Sequence, residues 1–351
     1  MTTIPTTQKA WVEECRGTPS KSLRLREDWP VPSTLQPGEV LVKVQACGLN
    51  PAGYKIMGAF PDFVLGRPIP SGMDLLGVIA DANDSQYAKG DLVYGFLSLA
   101  LCKSTTQGAL CEYVRIPTTH IVPRPLVISP LSAAGLGMVV LTAYTALVEL
   151  AHLEAGQSVF VYGGSSGVGI AAIQIAKARG ARVVASASGK NEAFVRGVGA
   201  DEFIDYTLQP IHEYLTSHPP NTPFDVIFEA IGIADSSLYT NSPAYLKPNG
   251  VFVSNGPFPS SASVAEIWKF AKTILAISTP RWLGGTPRRW TYVNNIYSQA
   301  KLEATQVYVA QGKLNPPIDT AFNFKEAIAG YERLMTKRAT GKVVVKVDPA
   351  T

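Results

Sequence analysis

The stretch Ser158-Val159-Phe160-Val161-Tyr162-Gly163-Gly164-Ser165-Ser166-Gly167-Val168-Gly169 decides the fold of this chain. Val159 to Tyr162 are β-branched or aromatic and read as a strand. Small residues then form a turn, and Ile170 to Arg179 reads as an amphipathic helix. A turn without bulky side chains lets peptide N–H groups face a pyrophosphate, and the helix N-terminus adds partial positive charge. A second strand, Ala181 to Ser186, follows. That order of strand, turn, helix and strand is the context a dinucleotide-binding turn requires.

Downstream of the second strand lies the cofactor-selecting segment, Val183-Val184-Ala185-Ser186-Ala187-Ser188-Gly189-Lys190-Asn191. An acid about 20 residues past the glycines would bond a ribose 2′-OH. This segment has no acid. Its hydroxyls and Lys190 suit a 2′-phosphate by hydrogen bonding and charge pairing, so the cofactor reads as NADPH. The alternative is that Ser188 and Lys190 merely cap the next helix, with Lys190 solvated.

Working outward, strands alternate with helices from Gln157: Val159 to Tyr162, Val183 to Ser186, Glu202 to Ile204, Val226 to Ala230, and Val251 to Val253. This alternation predicts a doubly wound parallel sheet with helices on both faces. Lys9 to about Pro125 is different, rich in strands and broken by Gly and Pro. Val40 to Ala46, Gly77 to Ala80, Asp91 to Gly95 and Gly108 to Val114 read as strands. A small-residue stretch at Ser132 to Gly137 and an apolar helix near Thr142 to Ala151 follow. The tail, Gly341 to Val347, reads as a strand that returns to the β-rich lobe. The expected division is an α/β chain with a β-rich domain, 1–128 and 312–351, and a nucleotide domain, 129–311.

At 351 residues the chain has room for two sizeable cores. Hydrophobic residues at 46% and charged residues at 17% fit an ordered enzyme. A dispersed net charge of +4 gives nucleic-acid binding little support. No window approaches about 18 uninterrupted apolar residues, so no membrane span is expected. The polar stretch Met1 to Lys9 resembles neither a secretory nor a mitochondrial leader, which leaves a cytoplasmic address. Cys15, Cys47, Cys102 and Cys111 are scattered, without the clustering of a disulfide scaffold or structural zinc. His120, His152, His212 and His218 lack metal spacing.

Between Pro257 and Tyr297 lie Trp268, Phe270, Trp282, Trp290 and Tyr292, with Arg281, Arg288 and Arg289. Ile267 to Ile277 is helix-like and apolar. The segment can line a substrate cleft, form a dimer face, touch a membrane surface, or simply pack as core.

Nearly the whole chain resembles a medium-chain dehydrogenase/reductase of the zinc-free quinone oxidoreductase and enoyl reductase branch. The residues that carry the resemblance are Cys47 to Lys55 (Cys-Gly-Leu-Asn-Pro-Ala-Gly-Tyr-Lys), Gly72-Met73-Asp74, Leu141 to Tyr144, the Gly163 to Gly169 turn, and Gly341 to Val344. Their order and spacing together are specific, and they look most like fungal members, some of which are trans-acting enoyl reductases. The resemblance implies a Rossmann-type NADPH domain, a GroES-like catalytic domain and a homodimer formed through the nucleotide domain. Zinc-dependent relatives place metal ligands where this chain has Asn50, Met73 and, by approximate alignment, Met138. An amide and two thioethers make a poor Zn²⁺ site, so no metal is expected.

The implied reaction is hydride transfer to an activated C=C or quinone, followed by protonation. The cofactor supplies the hydride, and the protein supplies orientation and electrostatics. Donors aimed at the developing oxyanion would then matter most. Asn50, Tyr54 and Lys55 are the candidates. Asn50 also fits a turn-forming role, and Lys55 a solvated one.

For the cofactor, the resemblance carries over Thr142 beside the nicotinamide and Gly163, Ser165, Ser166, Gly167 and Val168 at the pyrophosphate. Ser186, Ser188 and Lys190 fall at the 2′-phosphate, Tyr206 near the adenosine, and Gly232 and Asn255 at strand ends. Phe60, Met73, Phe96, Trp268 and Trp282 are expected in the apolar substrate wall. Three positions depart from the family pattern. Phe60 replaces a tyrosine that relatives use as an acid, Gly53 replaces an Asp, and Ser166 replaces a Gly in the turn. Two other readings stay open: a weakly catalytic NADPH-binding protein that docks an acyl-carrier partner, and a zinc-free carbonyl reductase.

Overall fold

The computed structural model describes residues 4–257, 264–294 and 297–351. Its strands are β1 (Thr7–Glu13), β2 (Leu23–Pro30), β3 (Glu39–Leu49), β4 (Ile69–Pro70), β5 (Asp74–Asp81), β6 (Leu92–Phe96), β7 (Tyr113–Pro117) and β8 (Ile121–Pro123). Then come β9 (Ser158–Tyr162), β10 (Arg182–Ala187), β11 (Glu202–Asp205), β12 (Phe224–Glu229), β13 (Leu246–Ser254) and β14 (Arg289–Tyr292). β15 (Ile318–Asn323) and β16 (Lys342–Lys346) close the chain. Two compact units result: Met1–Leu141 with Tyr297–Thr351, and Thr142–Ile296.

The second unit is a six-stranded sheet in the order β11-β10-β9-β12-β13-β14, with every pair parallel. Each crossover needs a helix to return the chain, which is why helices alternate with strands here. Val159, Phe160 and Val161 are fully buried, as a central strand covered on both faces requires. Phe160, Phe224, Ile227, Tyr245 and Phe252 build the core on one face. The chain moves outward from β9 through β10 and β11, then crosses back to β12. The carboxyl ends of β9 and β12 therefore flank the switch point where such sheets bind ligands.

In the first unit, β3 is the organiser. It pairs antiparallel with β5, β7 and β16 in a seven-stranded sheet, beside a smaller β2-β1-β4 sheet. The tail returns as expected: Val343 to Lys346 pair with Leu49 to Ala46. Residues from 297 onward join this unit. Tyr297 Oη donates to Thr119 O at 2.6 Å, and Gln306 Nε2 to Pro123 O at 2.8 Å.

Two local expectations change. Gly108 to Leu110 is not strand, because its N–H groups turn aside to a neighbouring loop: Ala109 N donates to Gly72 O and Leu110 N to Ser71 O. Cys111 makes a single antiparallel bridge to Ala10, and the continuous strand starts at Tyr113. The helix expected at Thr142 to Ala151 begins earlier, at Gly137, and its second half, Thr145–Leu150, widens to a π-helix. The register is visible where Ala151 N reaches Ala146 O, five residues back.

Candidate active site

The turn after β9 is built by two glycines that no other residue could replace cheaply. Gly163 leaves β9 at φ +90°, and a Cβ there would stand 2.5 Å from Ile231 Cγ1. Gly169 lies so close to Gly163 O that any Cβ would collide with it. Together they let helix Gly167–Ala178 start hard against the strand end. Ser166 caps this helix: its Oγ accepts from Gly169 N at 3.0 Å and donates to Gly163 O at 2.8 Å. Ser165 to Val168 remain partly exposed at the helix N-terminus, where backbone donors lack partners within the helix.

The ends of β12 and β13 lie alongside. Glu229 is buried and accepts from Ile231 N at 2.8 Å, Gly232 N at 2.7 Å and Ser254 Oγ at 3.0 Å. Burial pushes its carboxyl pKa up, against the pull of those donors. Gly232 takes φ +77°, and Asn255 Nδ2 donates to Ala230 O at 3.3 Å. Gly163, Gly232 and Asn255 thus follow three neighbouring parallel strands, β9, β12 and β13, at their carboxyl ends.

At the end of β10 the expected residues separate. Ser186 is fully buried, and its hydroxyl has no hydrogen-bond partner among the described residues. Ser188 is half-buried and precedes the 3₁₀ turn Gly189–Asn191, without a side-chain cap bond. Lys190 and Tyr206 are exposed, and Tyr206 meets Tyr162 edge-on at 6.5 Å. An acid missing from the β10 segment arrives from β11. Asp205 packs against Gly189 and accepts from Thr207 Oγ1 at 2.7 Å and Thr207 N at 2.9 Å, bonds that hold its carboxyl below the usual range. Thr142 is buried in its helix.

In the first unit, Asn50 ends β3 and occupies the N-cap of helix Pro51–Ala59, yet its side chain makes no cap bond. It turns inward instead. Asn50 Nδ2 donates to Asp74 Oδ2 at 2.9 Å, and Asn50 Oδ1 accepts from Lys342 Nζ at 2.7 Å. Lys342 Nζ also donates to Asp74 Oδ2 at 3.0 Å and Leu49 O at 3.1 Å. The other Asp74 oxygen accepts from Met138 N at 2.7 Å. Gly48 and Gly137 give this cluster room, since a Cβ at either would crowd the Asp74 carboxylate. Asn50 therefore bridges a buried cation and a buried carboxylate. Tyr54 is half-buried, which raises its phenol pKa, while Lys55 is exposed. Being consecutive on the helix, these two leave it in directions about 100° apart.

A cavity of about 40 Å³ adjoins Asn50 and Met73. Glu13, Gly53, Ser71 and Tyr331 also line it. Of the residues expected in an apolar wall, Met73 lines this cavity, whereas Phe96 is buried in β6 and Phe60 is exposed at the helix end. Trp268 and Trp282 lie in the other unit, 63% and 82% exposed. Trp290, by contrast, packs on that unit's core. Residues 258–263 and 295–296 of the same aromatic segment lie outside the described residues.

Comparison with known proteins agrees with this architecture. A model of the alcohol dehydrogenase GroES-like domain matches residues 36–126, and one described as zinc-binding dehydrogenase matches residues 198–345. The chain is 33% identical to the medium chain reductase pydE of Acremonium sp., over 98% of this chain and 100% of that protein. It belongs to the medium-chain dehydrogenase/reductase family. Among family members, the trans-enoyl reductase pgmF of Aspergillus terreus is 32% identical, over 99% of this chain and 98% of that protein. The solved quinone oxidoreductase of Coxiella burnetii shares 27% identity and a TM-score of 0.76, covering 97% and 99% of the two chains.

The Rossmann-type sheet and the GroES-like unit of this medium-chain dehydrogenase/reductase are as the sequence led one to expect. Although one matching family description names zinc, no group of three or more His, Cys, Asp or Glu among the described residues is placed to hold a metal ion. No described helix is long and apolar enough to cross a membrane. Sequence reasoning missed roles for Asp74, Lys342, Glu13, Ser71, Tyr331 and Asp205. Two of them carried a readable signal. Asp74 and Lys342 each open a run of buried apolar strand residues, and a charge there demands a partner.

Proposed function

We propose that this protein is an NADPH-dependent, metal-independent reductase of an activated C=C bond, in an enone or enoyl group, or of a quinone. The observation that carries the reading is the Asn50–Asp74–Lys342 cluster. An amide is held there between a buried ammonium and a buried carboxylate, at a position where the sequence resemblance puts a metal ligand in zinc-dependent relatives. With Met73 and Met138 at the other two ligand positions, the donor set suits no Zn²⁺. Polarisation of the substrate then falls to hydrogen bonds and charge.

The turn geometry fits a dinucleotide. Gly163 and Gly169 leave a cradle that a Cβ would fill, and the helix N-terminus offers the N–H groups of Ser165, Gly167 and Val168, that of Ser166 being engaged by Gly163 O. Ser188, Lys190 and Tyr206 would take the adenosine 2′-phosphate end, with Ser186 supporting them from inside. Thr142, Gly232 and Asn255 would line the nicotinamide end. The bound cofactor supplies the hydride. The remaining work belongs to the chain: Lys342 and Asp74 orient Asn50, while Tyr54 and Lys55 are the nearby donors for charge that develops on the substrate oxygen. We place the protein in the cytoplasm as a homodimer.

A second reading concerns delivery. The exposed Trp268 and Trp282, near Arg281, favour a substrate presented on an acyl-carrier partner. A panel of a simple enone, an aryl enone, a naphthoquinone and an enoyl thioester, each with NADPH and NADH, tests both. NADPH oxidation with saturated-ketone product supports the first reading; alcohol product moves the assignment to carbonyl reduction. Tight NADPH binding with turnover only of a carrier-bound thioester supports the second.

A further inference from the structure

The cavity beside Asn50 holds a second polar array that the reading above leaves without a role. Tyr331, on helix Ala327–Met335, is fully buried, yet it lines this cavity. Its Oη stands 3.0 Å from Ser71 Oγ, and either hydroxyl can donate. Ser71 Oγ is in turn 3.0 Å from Glu13 Oε1. The other Glu13 oxygen pairs with Arg67 at 3.3 Å. Arg67 is withdrawn from solvent and is shared with Asp62 at 3.0 Å.

Space for the phenol exists because residue 53 is glycine. A Cβ at Gly53 would lie 3.1 Å from Tyr331 Oη. The position where related chains carry Asp is therefore given over to a hydroxyl from a distant helix. Cavity size limits the role. About 40 Å³ admits one or two water-sized groups, so the array meets only the reacting end of a substrate.

We propose that Tyr331, Ser71 and Glu13 form the line that delivers the proton completing reduction, with Tyr331 as the group that touches the substrate. The inference rests on the reductase reading above. The bound cofactor would supply a hydride to the β-carbon, which would leave the substrate as an enolate. The Tyr331 O–H bond breaks as a C–H bond forms at the α-carbon. Ser71 returns a proton to Tyr331 Oη, and the Glu13 carboxylic acid returns one to Ser71 Oγ. Glu13 ends as a carboxylate beside Arg67, and solvent water reloads it.

The direction of the line depends on Glu13. As a carboxylate it accepts from Ser71; as an acid it donates, and both hydroxyl protons then turn toward the cavity. Burial pushes the Glu13 pKa up, against Ser71 and Arg67. The titratable and charged neighbours it faces are Arg67, Tyr331, Cys102 and the cavity-lining Lys103. Burial also raises the Tyr331 phenol far above its ordinary value. A lone tyrosine would thus resist forming phenolate, whereas one refilled by Ser71 forms none. Tyr331 is the catalytic residue in this scheme; Ser71 and Glu13 are positioning residues.

The test compares wild type with Tyr331→Phe, Ser71→Ala, Glu13→Gln and the Tyr331→Phe/Ser71→Ala double variant. An α-substituted enone with NADPH serves as substrate. Each single variant should lose roughly 10- to 100-fold in kcat with KM nearly unchanged. The double should be no worse than either single, since the residues act as one unit. Wild type should lose kcat as pH rises through the Glu13 titration, and Glu13→Gln should lose that limb. The configuration at the α-carbon should scramble once water replaces Tyr331. In the free protein, a protonated-carboxyl infrared band should disappear in Glu13→Gln and shift in Ser71→Ala. If wild type reduces the enone while Tyr331→Phe and Ser71→Ala keep its kcat, pH profile and product configuration, the proton line is overturned alone. If wild type reduces no member of the panel, the reductase reading falls and takes this inference with it. Should Tyr331→Phe fail to fold, Ser71→Ala carries the same expectations.

Discussion

Lys342 Nζ lies 3.0 Å from Asp74 Oδ2, with the two side chains only 3% and 0% exposed. These residues are far apart in the sequence and meet because β16 and β5 both pair with β3, on opposite sides. Neither charge has water to fall back on, so each depends on the other and on Asn50.

Removing one partner should therefore be severe. Lys342→Met leaves the Asp74 carboxylate buried and Asn50 Oδ1 without its donor, at a cost of about 3–5 kcal/mol. Adding Asp74→Asn should recover part of that loss, because the stranded charge is gone. Urea unfolding of the two singles and the double measures the coupling. Strict additivity would show that the pair is not energetically linked.

In the nucleotide turn, Gly169→Ala should weaken NADPH binding at least about tenfold, because its Cβ collides with Gly163 O and forces the helix away from the strand end. Ser166→Ala keeps the backbone but removes the cap, and should cost about 1 kcal/mol of stability. Fluorescence titration with NADPH and thermal melts separate the two effects. Unchanged affinity in Gly169→Ala would show that the turn does not approach the cofactor.

In the proposed reading, cofactor choice turns on the end of β10. Lys190→Ala should weaken NADPH about tenfold and leave NADH nearly unchanged. Asp205, held against Gly189 by β11, should oppose a 2′-phosphate, so Asp205→Asn should favour NADPH further. Equal losses for both nucleotides in Lys190→Ala would remove the 2′-phosphate assignment.

His120 stacks on Tyr297 at 3.8 Å, and burial lowers its pKa to about 4. In the unfolded chain it titrates near 6.5. Below that value the unfolded state binds the extra proton, so stability falls as pH drops from about 6.5 toward 4. His120→Phe preserves the stack and, with solvent screening of the part-exposed ring allowed for, should remove on the order of 1 kcal/mol of this loss at pH 5. Chemical unfolding at pH 7 and pH 5 checks the sign; an unchanged pH slope would refute it.

The sequence by itself determined five of the six strands of the second unit, and not β14, which lies inside the aromatic segment. The close approach of Ile231 to Gly163 is not a local feature, but strand–helix alternation, the β9 turn and the Gly169 requirement are, so a short window of residues carries them. The same holds for β3 and for the closing strand β16. What only tertiary structure decided is which distant side chains meet. Lys342 reaches Asn50 across 292 positions, and Tyr331 reaches Ser71 across 260. Asp205 arrives at Gly189 through the pairing of β10 with β11. A strand's own periodicity says which face is buried, but not which strand it will pair with or in what register. Asn50 accordingly reads as a free donor in the sequence and becomes a bridge between two buried charges in the fold. Its neighbours are set by the antiparallel register of β3 with β16 and β5, which no local pattern in the chain contains.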